Sequence, residues 1–189
     1  RNEHHGDEIA PINIAGFIPH TIDLNSSVII NENGLIVTAF QVTHEPIEPA
    51  LGYRFEYGGR SRVISGDTSY SENLIKNAQD ADVLFHEAQA NHQLEIMKEA
   101  LSSNKGLLKI LNDIESYHTT PIDAAKAANL ANVDHLIFYH LTPAPRIGVM
   151  ERMFYRGVNE IRTDWTSAND GTMAVLPLDS DEIIITEIN

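Results

Sequence analysis

Short apolar runs separated by polar or glycine-rich turns predict a series of β-strands along this chain. The runs interpreted as strands are residues 27–30, 35–42, 53–57, 62–64, 82–86, 133–140, 172–176 and 182–186. The Asn33-Gly34 pair between the first two runs is typical of a tight hairpin turn, because both residues tolerate a positive φ. Residues 1–25 carry Pro11 and Pro19 within short apolar pieces, so we expect a loop there with at most one edge strand.

A helical period of 3.6 residues replaces the alternating pattern in several intervening segments. The apolar residues that follow Ser71 share one helical face, and Ser71 or Ser69 is the expected N-cap. Residues 89–116 predict two helices that form a hairpin inserted between strands. The break is expected near residues 102–106, where Gly106 would stop a helix.

A further helix begins at a clear signal, since Thr120 is a good N-cap and Pro121 suits the first helical position. This helix lies between the predicted strands 82–86 and 133–140, so the two strands are expected to pair in parallel through a right-handed crossover. A last helix is expected at residues 147–156. The order of elements predicts one α/β domain, with no internal repeat or linker to divide it.

Composition excludes several classes of protein. With 27 acidic and 13 basic residues the formal net charge is −14, which disfavours nucleic acid as a partner because phosphates are bound largely by Lys and Arg. No run approaches the roughly 18–20 continuous apolar residues of a membrane span, so we expect a soluble protein without a membrane partner. Cysteine is absent, and any metal must therefore be held by imidazole and carboxylate groups.

Candidate chemistry appears where strands end. Four of the predicted strands finish on, or run into, a histidine or an aspartate: His44, Asp67, His86 and His140. Open α/β sheets gather their functional groups at the carboxyl ends of their strands, so these side chains predict a metal-binding rim. Two alternatives stay open, because Asp67 after a glycine is also ordinary turn chemistry and His86 on a buried strand is also a hydrogen-bonded core residue.

Other polar and aromatic residues are interpreted as structural. The remaining histidines outside recognisable motifs are His4, His5, His20, His92 and His135. Adjacent side chains on an extended segment point apart, which argues against a ligand pair at the first two. Trp165 is expected in a loop, in a packing role.

Imidazole and carboxylate ligands suit zinc, and a carboxylate can bridge two ions that share an activated water. The chemistry expected of such a site is hydrolysis of an ester-like bond.

Five further-reaching motifs follow one another in the chain. They are Val42-Thr43-His44 with Gly52-Tyr53-Arg54-Phe55-Glu56, then Ser65-Gly66-Asp67-Thr68, His86-Glu87-Ala88, Tyr117-His118-Thr119-Thr120, and Tyr139-His140-Leu141-Thr142-Pro143. In this order over about residues 40–145 they resemble the metallo-β-lactamase superfamily, and within it the ribonuclease Z and arylsulfatase-like branch. The resemblance implies an αβ/βα sandwich with mixed sheets flanked by helices.

The resemblance also implies roles for individual residues. His44 would ligate one metal ion, Asp67 would bridge two, and His140 would ligate the other. Glu87 would orient His118, which would donate a proton to the leaving group. The implied cofactor is zinc, with two ions in the complete protein and manganese or iron as alternatives.

Two departures from the family pattern qualify the resemblance. The upstream His-x-His-x-Asp-His motif does not occur in these 189 residues, so we expect an N-terminally incomplete C-terminal portion of a single domain, represented here by residues 1–189. Ribonuclease Z enzymes usually carry a tRNA-gripping arm between the Gly-Tyr-Arg and Ser-Gly-Asp strands, whereas only residues 56–62 fill that space. In addition, Gln89 stands where His-Glu-Ala is usually followed by threonine.

The leading hypothesis is a metal-dependent hydrolase of a small phosphodiester, sulfate ester or related ester. Two alternatives are kept: a ribonuclease Z-like nuclease for tRNA 3′ ends, and a non-catalytic binding or dimerisation half-domain. The expected partner is a small-molecule ester substrate, nucleic acid is disfavoured, and formation of a homodimer stays open. The compartment is not indicated, since either a cytoplasmic or an exported location fits the sequence.

Overall fold

A computed structural model describes residues 21–23 and 27–188 of the chain. The predicted loop and edge strand of the first 20 residues, with His4, His5 and His20, lie outside the described residues. The strands are β1 (Val28–Glu32), β2 (Leu35–Val42), β3 (Ala50–Tyr57), β4 (Arg60–Ile64), β5 (Val83–Gln89), β6 (His135–Thr142), β7 (Trp165–Ser167), β8 (Thr172–Val175) and β9 (Ile184–Glu187). The strands predicted after residue 26 are therefore confirmed, with boundaries shifted by a few residues.

One large mixed sheet contains β1 to β7 in sequence order. β1 to β4 pair as antiparallel neighbours, whereas β4 to β7 pair in parallel. The change of pattern falls at β4, so β2, β4, β5 and β6 all run in the same direction. Their carboxyl ends consequently meet at one edge of the sheet, which is where open α/β sheets place their chemistry. The predicted mixed α/β fold class is confirmed.

Helices connect the strands and cover the sheet. They are α1 (Glu72–Asn77), α2 (Asn91–Ala100), α3 (Lys105–Asp113), α4 (Pro121–Leu130) and α5 (Gly148–Phe154), with short 3₁₀ turns at Ile114–Ser116 and Val158–Glu160. Ser71 caps α1 by accepting from the amide of Leu74 at 3.3 Å. Thr120 caps α4 by accepting from the amide of Asp123 at 3.1 Å, with Pro121 in the first helical position. Both predicted caps are confirmed.

The expectation that Gly106 stops a helix is wrong. α2 already ends at Ala100, and Gly106 lies in the first turn of α3. Asn104 starts α3, because its side-chain oxygen accepts from the amide of Leu107 at 3.2 Å. Asn104 therefore sets the start of α3, and Gly106 does not set a helix boundary.

The helical hairpin formed by α2, α3 and the following 3₁₀ turn leaves the sheet and returns to the same place. The amide of Gln89, the last residue of β5, donates to the carbonyl oxygen of Thr119 at 2.8 Å. The Gln89 side chain is fully buried, and its Nε2 donates to the carbonyl oxygen of Ile114 at 2.9 Å and to Oδ1 of Asn91 at 3.0 Å. Gln89, noted above as a departure from the family pattern, thus closes the base of this insertion.

The main core lies between one face of the sheet and α1 and α4. Its sheet contribution includes Phe40, Val63, Leu84, Leu136 and Phe138, and its helical contribution includes Leu74, Ala78, Ala124, Ala125 and Ala128. Fully burying one leucine or phenylalanine side chain contributes about 1.5–3 kcal/mol. The alanines of α4 lack bulk, so the helix backbone approaches the sheet closely and holds the loop before α4 against the edge that carries the candidate site.

Trp165 lies in a strand and not in the expected loop, but its side chain has the expected packing role. It is the first residue of β7 and not part of a loop, because its strand pairs in parallel with β6 at Leu136. Its ring packs at 4.6 Å from that of Tyr155 and at 5.5 Å from that of Phe138. The packing interpretation is confirmed.

The C-terminal hairpin of β8 and β9 forms a separate two-stranded sheet. The buried guanidinium of Arg60 pairs with Asp82 at 2.8 Å and donates to the carbonyl oxygens of Pro177, Ser180 and Glu182. One side chain at the start of β4 therefore fixes the connection between the two C-terminal strands. None of the helices within residues 21–23 and 27–188 has the length and hydrophobicity of a transmembrane segment.

Candidate metal centre

Five side chains converge at the edge where β2, β4, β5 and β6 end. The ring centroid of His118 lies 5.4 Å from that of His44 and 5.7 Å from that of His140. Oδ1 of Asp67 lies 3.4 Å from Nδ1 of His140. Oε1 of Glu87 lies 3.2 Å from Nδ1 of His118. The residues proposed for the site from the sequence are thus brought together, although they span almost 100 positions of the chain.

A β-bulge aims His140 into this group. Along β5 and β6 the pairing runs from Glu87 opposite Tyr139 to Ala88 opposite Leu141, so His140 is the extra residue. Its φ is +46°, in the left-handed region that a non-glycine residue rarely adopts. Such strain is found at functional sites, where the surrounding structure enforces it. The bulge turns the imidazole to the edge of the sheet, where its side chain is 47% exposed.

Asp67 depends on the glycine that precedes it. Gly66 has a φ of +65°, and a Cβ placed there would lie 2.3 Å from the carbonyl oxygen of Leu51. Only a glycine fits both constraints, because a side chain at this position would push apart the end of β4 and the start of β3. The resulting tight turn delivers the Asp67 carboxylate to the rim, with its side chain 45% exposed.

Glu87 is the fully buried carboxylate behind the site. Its Oε1 accepts from the amide of Thr119 at 2.9 Å and from the amide of Thr68 at 3.3 Å, in addition to its contact with His118. The amide of Glu87 itself donates to Oγ of Ser65 at 3.1 Å. One carboxylate thereby holds the loop after β4 and the loop before α4 in a fixed relation, since a buried charge is stable only when it is hydrogen-bonded.

Sequence reasoning assigned no role to Thr68, which the structure identifies as the residue joining three loops. Its hydroxyl accepts from the amide of Thr43 at 3.2 Å and donates to the carbonyl oxygen of Ser69 at 2.7 Å. Its own carbonyl oxygen accepts from the hydroxyl of Thr119 at 2.6 Å. Thr43, Thr68 and Thr119 each adjoin a candidate site residue in the motifs, and that adjacency was the available signal.

The imidazole of His118 is suited to carry a proton. Burial lowers its pKa, but contact with the Glu87 carboxylate and the negative charges of Glu87 and Asp67 outweigh burial, so the pKa lies above its ordinary value. The 3.2 Å approach to Glu87 is electrostatic and not a well-aligned hydrogen bond, because the ring N–H is not directed at the carboxylate oxygen. The carboxylate therefore stabilises the protonated form of the His118 imidazole.

His86 does not join the group: its place in the predicted rim is wrong, and the alternative of a hydrogen-bonded core residue is confirmed. Its side chain is 1% exposed, and its Nδ1 lies 2.7 Å from the carbonyl oxygen of Glu87. Burial lowers the pKa of His86, so its neutral form is favoured. Successive side chains of a strand point to opposite faces, and the face that presents Glu87 to the site therefore turns His86 into the core.

The other two histidines that the structure describes outside the group have structural partners. Nε2 of His92 lies 2.8 Å from the carbonyl oxygen of Met153, and Nε2 of His135 lies 2.9 Å from the hydroxyl of Thr166. Their interpretation as structural residues is confirmed.

The donor atoms of the group fit a divalent cation. Within the described residues, potential ligand atoms of Glu87, His118 and His140 all lie within 4.8 Å of one another. Oε2 of Glu87 and Nδ1 of His118 are buried without a hydrogen-bond partner among these residues. Nδ1 of His118 faces Oε1 of Glu87 at 3.2 Å, so the closeness of imidazole and carboxylate side chains, and not these two atoms, is what fits a cation. Of these three residues, only His140 also belongs to the ligand set that the resemblance implies. The other two implied ligands, His44 and Asp67, lie at the same edge of the sheet.

Two cavities flank the group. One of about 590 Å³ lies beside His44 and is bounded by residues 44–47 and by α3. The other, of about 470 Å³, lies beside His140 and includes Arg146, Glu151 and Asn169. The histidines thus separate two spaces, each large enough for a small organic group.

Comparison with known proteins agrees with this geometry. A family model described as a beta-lactamase superfamily domain matches residues 3–141. Ribonuclease Z of Mycobacterium tuberculosis (strain H37Rv) is 31% identical over 114 residues, which cover 60% of this chain and 38% of that protein. Ribonuclease Z of Mycobacterium marinum is 27% identical over 144 residues, which cover 76% of this chain and 47% of that protein. The chain therefore spans less than half the length of these two relatives.

Solved structures share the fold at low sequence identity. An isothiocyanate hydrolase from Delia radicum gut bacteria has a TM-score of 0.53 at 12% identity, with coverage of 80% of this chain and 56% of that one. The metallo-beta-lactamase fold protein YhfI from Bacillus subtilis has a TM-score of 0.51 at 18% identity, with coverage of 73% and 48%. Because the family model covers more than half of the sequence and the fold agrees, this chain belongs to the metallo-β-lactamase superfamily, with curated relatives in its ribonuclease Z branch.

Proposed function

We propose that this chain forms part of a metal-dependent hydrolase that cleaves phosphodiester bonds, with RNA as the preferred class of substrate. The observation that carries the proposal is the convergence of the five candidate side chains at one edge of the sheet, three of which are the expected ligands and two the expected proton-donating pair. Imidazole and carboxylate donors in such a group suit zinc, manganese or iron.

His44, Asp67 and His140 are the residues that would hold the metal, for which zinc is the expected ion. When bound, zinc supplies Lewis-acid polarisation of the phosphoryl group and an activated water. The chain's own residues supply the rest. Glu87 fixes the ring of His118 and favours its protonated form, so His118 can give a proton to the departing oxygen. Asp67 adds negative charge that supports the same protonated state.

The choice of phosphodiester over sulfate ester is supported by the relatives. Both mycobacterial proteins described above are named ribonuclease Z. These names favour the ribonuclease Z-like alternative over the sulfate ester that the leading hypothesis included among its possible substrates. Binding of RNA also requires that the electrostatic potential near the site does not repel phosphates, although the net charge of the chain is −14.

A second candidate is a small phosphodiester. β3 ends at Tyr57 and β4 begins at Arg60, so the connection is the two-residue turn Gly58-Gly59. This tight turn leaves no room for the tRNA-gripping arm that the family resemblance would put there. A hydrolase without that arm has less surface on which to hold a folded RNA.

The test uses the full-length protein with measured zinc, manganese and iron contents. Hydrolysis of bis-p-nitrophenyl phosphate is followed beside cleavage of a tRNA precursor with a 3′ extension at low salt. Asp67→Ala is expected to lose bound metal, and His118→Ala is expected to keep the metal while turnover falls roughly 10²–10⁴-fold. His92→Gln, an exposed histidine away from the group, is the matched control and should leave both values unchanged.

The outcomes separate the candidates. Cleavage of the precursor supports the RNA substrate, whereas turnover of bis-p-nitrophenyl phosphate alone supports the small phosphodiester. A preparation that stays metal-free and inactive after addition of zinc or manganese would reject the hydrolase and favour a non-catalytic binding or dimerisation domain.

A further inference from the structure

We propose that the 590 Å³ cavity beside His44 binds a planar aromatic ring of the substrate, and that Tyr117 is the surface on which this ring stacks. The inference rests on the proposed function, because it assigns the group attached to the scissile phosphate. It names a specificity-determining residue that none of the metal-binding roles requires.

Tyr117 occupies the boundary between the cavity and the metal-binding group. Its ring centroid lies 4.7 Å from that of His44 and 5.1 Å from that of His118. The same ring lines the cavity together with Pro46 and Ile47. A group held in the cavity is therefore next to Tyr117 and to His44, the candidate metal ligand that also lines the cavity.

The walls of the cavity have the character of a ring-binding pocket. Ile47, which is 61% exposed, and Pro46 give the cavity an apolar wall beside Tyr117. Facing it across the cavity, α3 and the turn after it contribute the polar groups of Asn112 and Ser116. Apolar surfaces with a few convergent polar groups are typical of ligand pockets, and amide and hydroxyl groups can read the edge of a ring.

Charge argues that the occupant is a neutral ring and not a phosphate. The lining includes the carboxylates of Glu45 and Asp113 and the ammonium of Lys109. Lys109 is already paired with Asp113, which leaves Glu45 to set the sign of the local field. The lining on the other side of the group, at the 470 Å³ cavity beside His140, contains no phenylalanine, tyrosine or tryptophan among the described residues. Aromatic stacking is therefore available on the His44 side.

The ring could belong to a nucleobase or to an aryl ester, and paired probes distinguish the two. Uridine 5′-monophosphate is compared with ribose 5-phosphate, which lacks the base, and phenyl phosphate is compared with methyl phosphate. Affinities are measured by titration calorimetry on the zinc-loaded full-length protein, so the readout does not depend on turnover. In the wild type, each probe with a ring is expected to bind about 5–150-fold more tightly than its ring-free partner, the range that one base–aromatic stack is worth.

Tyr117→Leu is expected to remove most of this ratio and to leave the affinity for ribose 5-phosphate within about twofold. Tyr117→Phe should keep the ratio, because the ring and not the hydroxyl carries the contact. Ile47→Asn, a change at an exposed position that cannot unfold the protein by loss of core, should lower the ratio more modestly. Tyr57→Leu is the matched control, since Tyr57 lies at the opposite end of β3 from the site.

If Tyr117→Leu removes the preference for uridine 5′-monophosphate over ribose 5-phosphate, the bound ring is a nucleobase. If it removes only the preference for phenyl phosphate over methyl phosphate, the bound ring belongs to an aryl ester. A wild-type protein that binds ring-containing and ring-free probes equally, or a ratio that survives Tyr117→Leu and Ile47→Asn, overturns the inference. Failure of the proposed function can be told apart from failure of this inference. The first appears as absent turnover of every phosphodiester, whereas the second is decided by the affinity ratios, which do not depend on turnover.

Discussion

Replacing Glu87 tests how the buried carboxylate holds the site together. Glu87→Ala removes the acceptor for the amides of Thr68 and Thr119, and both donors are left inside the protein without a partner. A hydrogen bond to a charged group is worth roughly 1.5–3 kcal/mol, and the 3.3 Å bond to Thr68 counts at the low end. Part of the loss from these two hydrogen bonds is offset, because the variant no longer buries a charged carboxylate. We expect Glu87→Ala to lower the free energy of unfolding by about 3–4 kcal/mol.

Glu87→Gln separates the hydrogen bonds from the charge. The amide side chain keeps an oxygen where Oε1 now accepts, so both backbone donors stay satisfied. Only the charge-dependent part is lost, which we put at about 1–2 kcal/mol. The pKa of His118 should fall in this variant, because Glu87 is one of the two carboxylates that raise it.

The assay is urea unfolding of wild type and both variants, followed by the fluorescence of Trp165, the single tryptophan of the chain. With a slope near 2 kcal/mol per M, the midpoint should fall by about 1.5–2 M for the alanine variant and by less than 1 M for the glutamine variant. Glu95→Gln is the control, since the Glu95 side chain is 60% exposed, its partner Lys98 keeps a second ion pair with Glu115, and exposed pairs contribute little. An alanine variant within 0.5 kcal/mol of wild type, or a glutamine variant as unstable as alanine, would refute the argument.

Three further predictions concern neighbouring residues. Gly66→Ala should destabilise the protein by at least ~2 kcal/mol and weaken metal binding, whereas Gly59→Ala, where an added Cβ meets nothing within 4 Å, should show only the smaller cost of a positive φ in a thermal melt. Thr68→Val keeps the shape but leaves the amide of Thr43 unsatisfied, so a loss of about 1–3 kcal/mol in urea unfolding is expected, and an unchanged midpoint would contradict it. Because burial depresses the pKa of His86 in the folded state, the unfolded chain takes up the proton first as pH falls below about 6.5, and stability is lost from there down. His86→Gln should therefore lose less stability than wild type between pH 7 and pH 5, and parallel losses would refute this.

Much of the fold follows from local pattern. The Asn33-Gly34 hairpin, the Ser71 cap and the Thr120-Pro121 helix start are set by residues within a few positions of one another, which is why they were predictable. The parallel pairing of β5 and β6 followed from the helix between them.

The parts of the site that sequence could not provide depend on strand pairing. The bulge that aims His140 exists only because β5 and β6 slip by one residue, and neither strand alone records the slip. The choice between rim and core for His86 stayed open for a related reason. A strand buried on both faces has no polar alternation, so the pattern does not indicate which of His86 and Glu87 faces the site.

The closed base of the α2–α3 insertion has a practical consequence. Gln89 and Thr119 meet through a backbone hydrogen bond, so everything between them departs from and returns to one point of the scaffold. Helical hairpins of another length or composition can replace α2 and α3, provided that Tyr117 and His118, which precede the second anchor, are kept. The wall contributed by α3 could then be exchanged as a cassette, which would allow the chemistry at the rim to be directed to substrates of different shape.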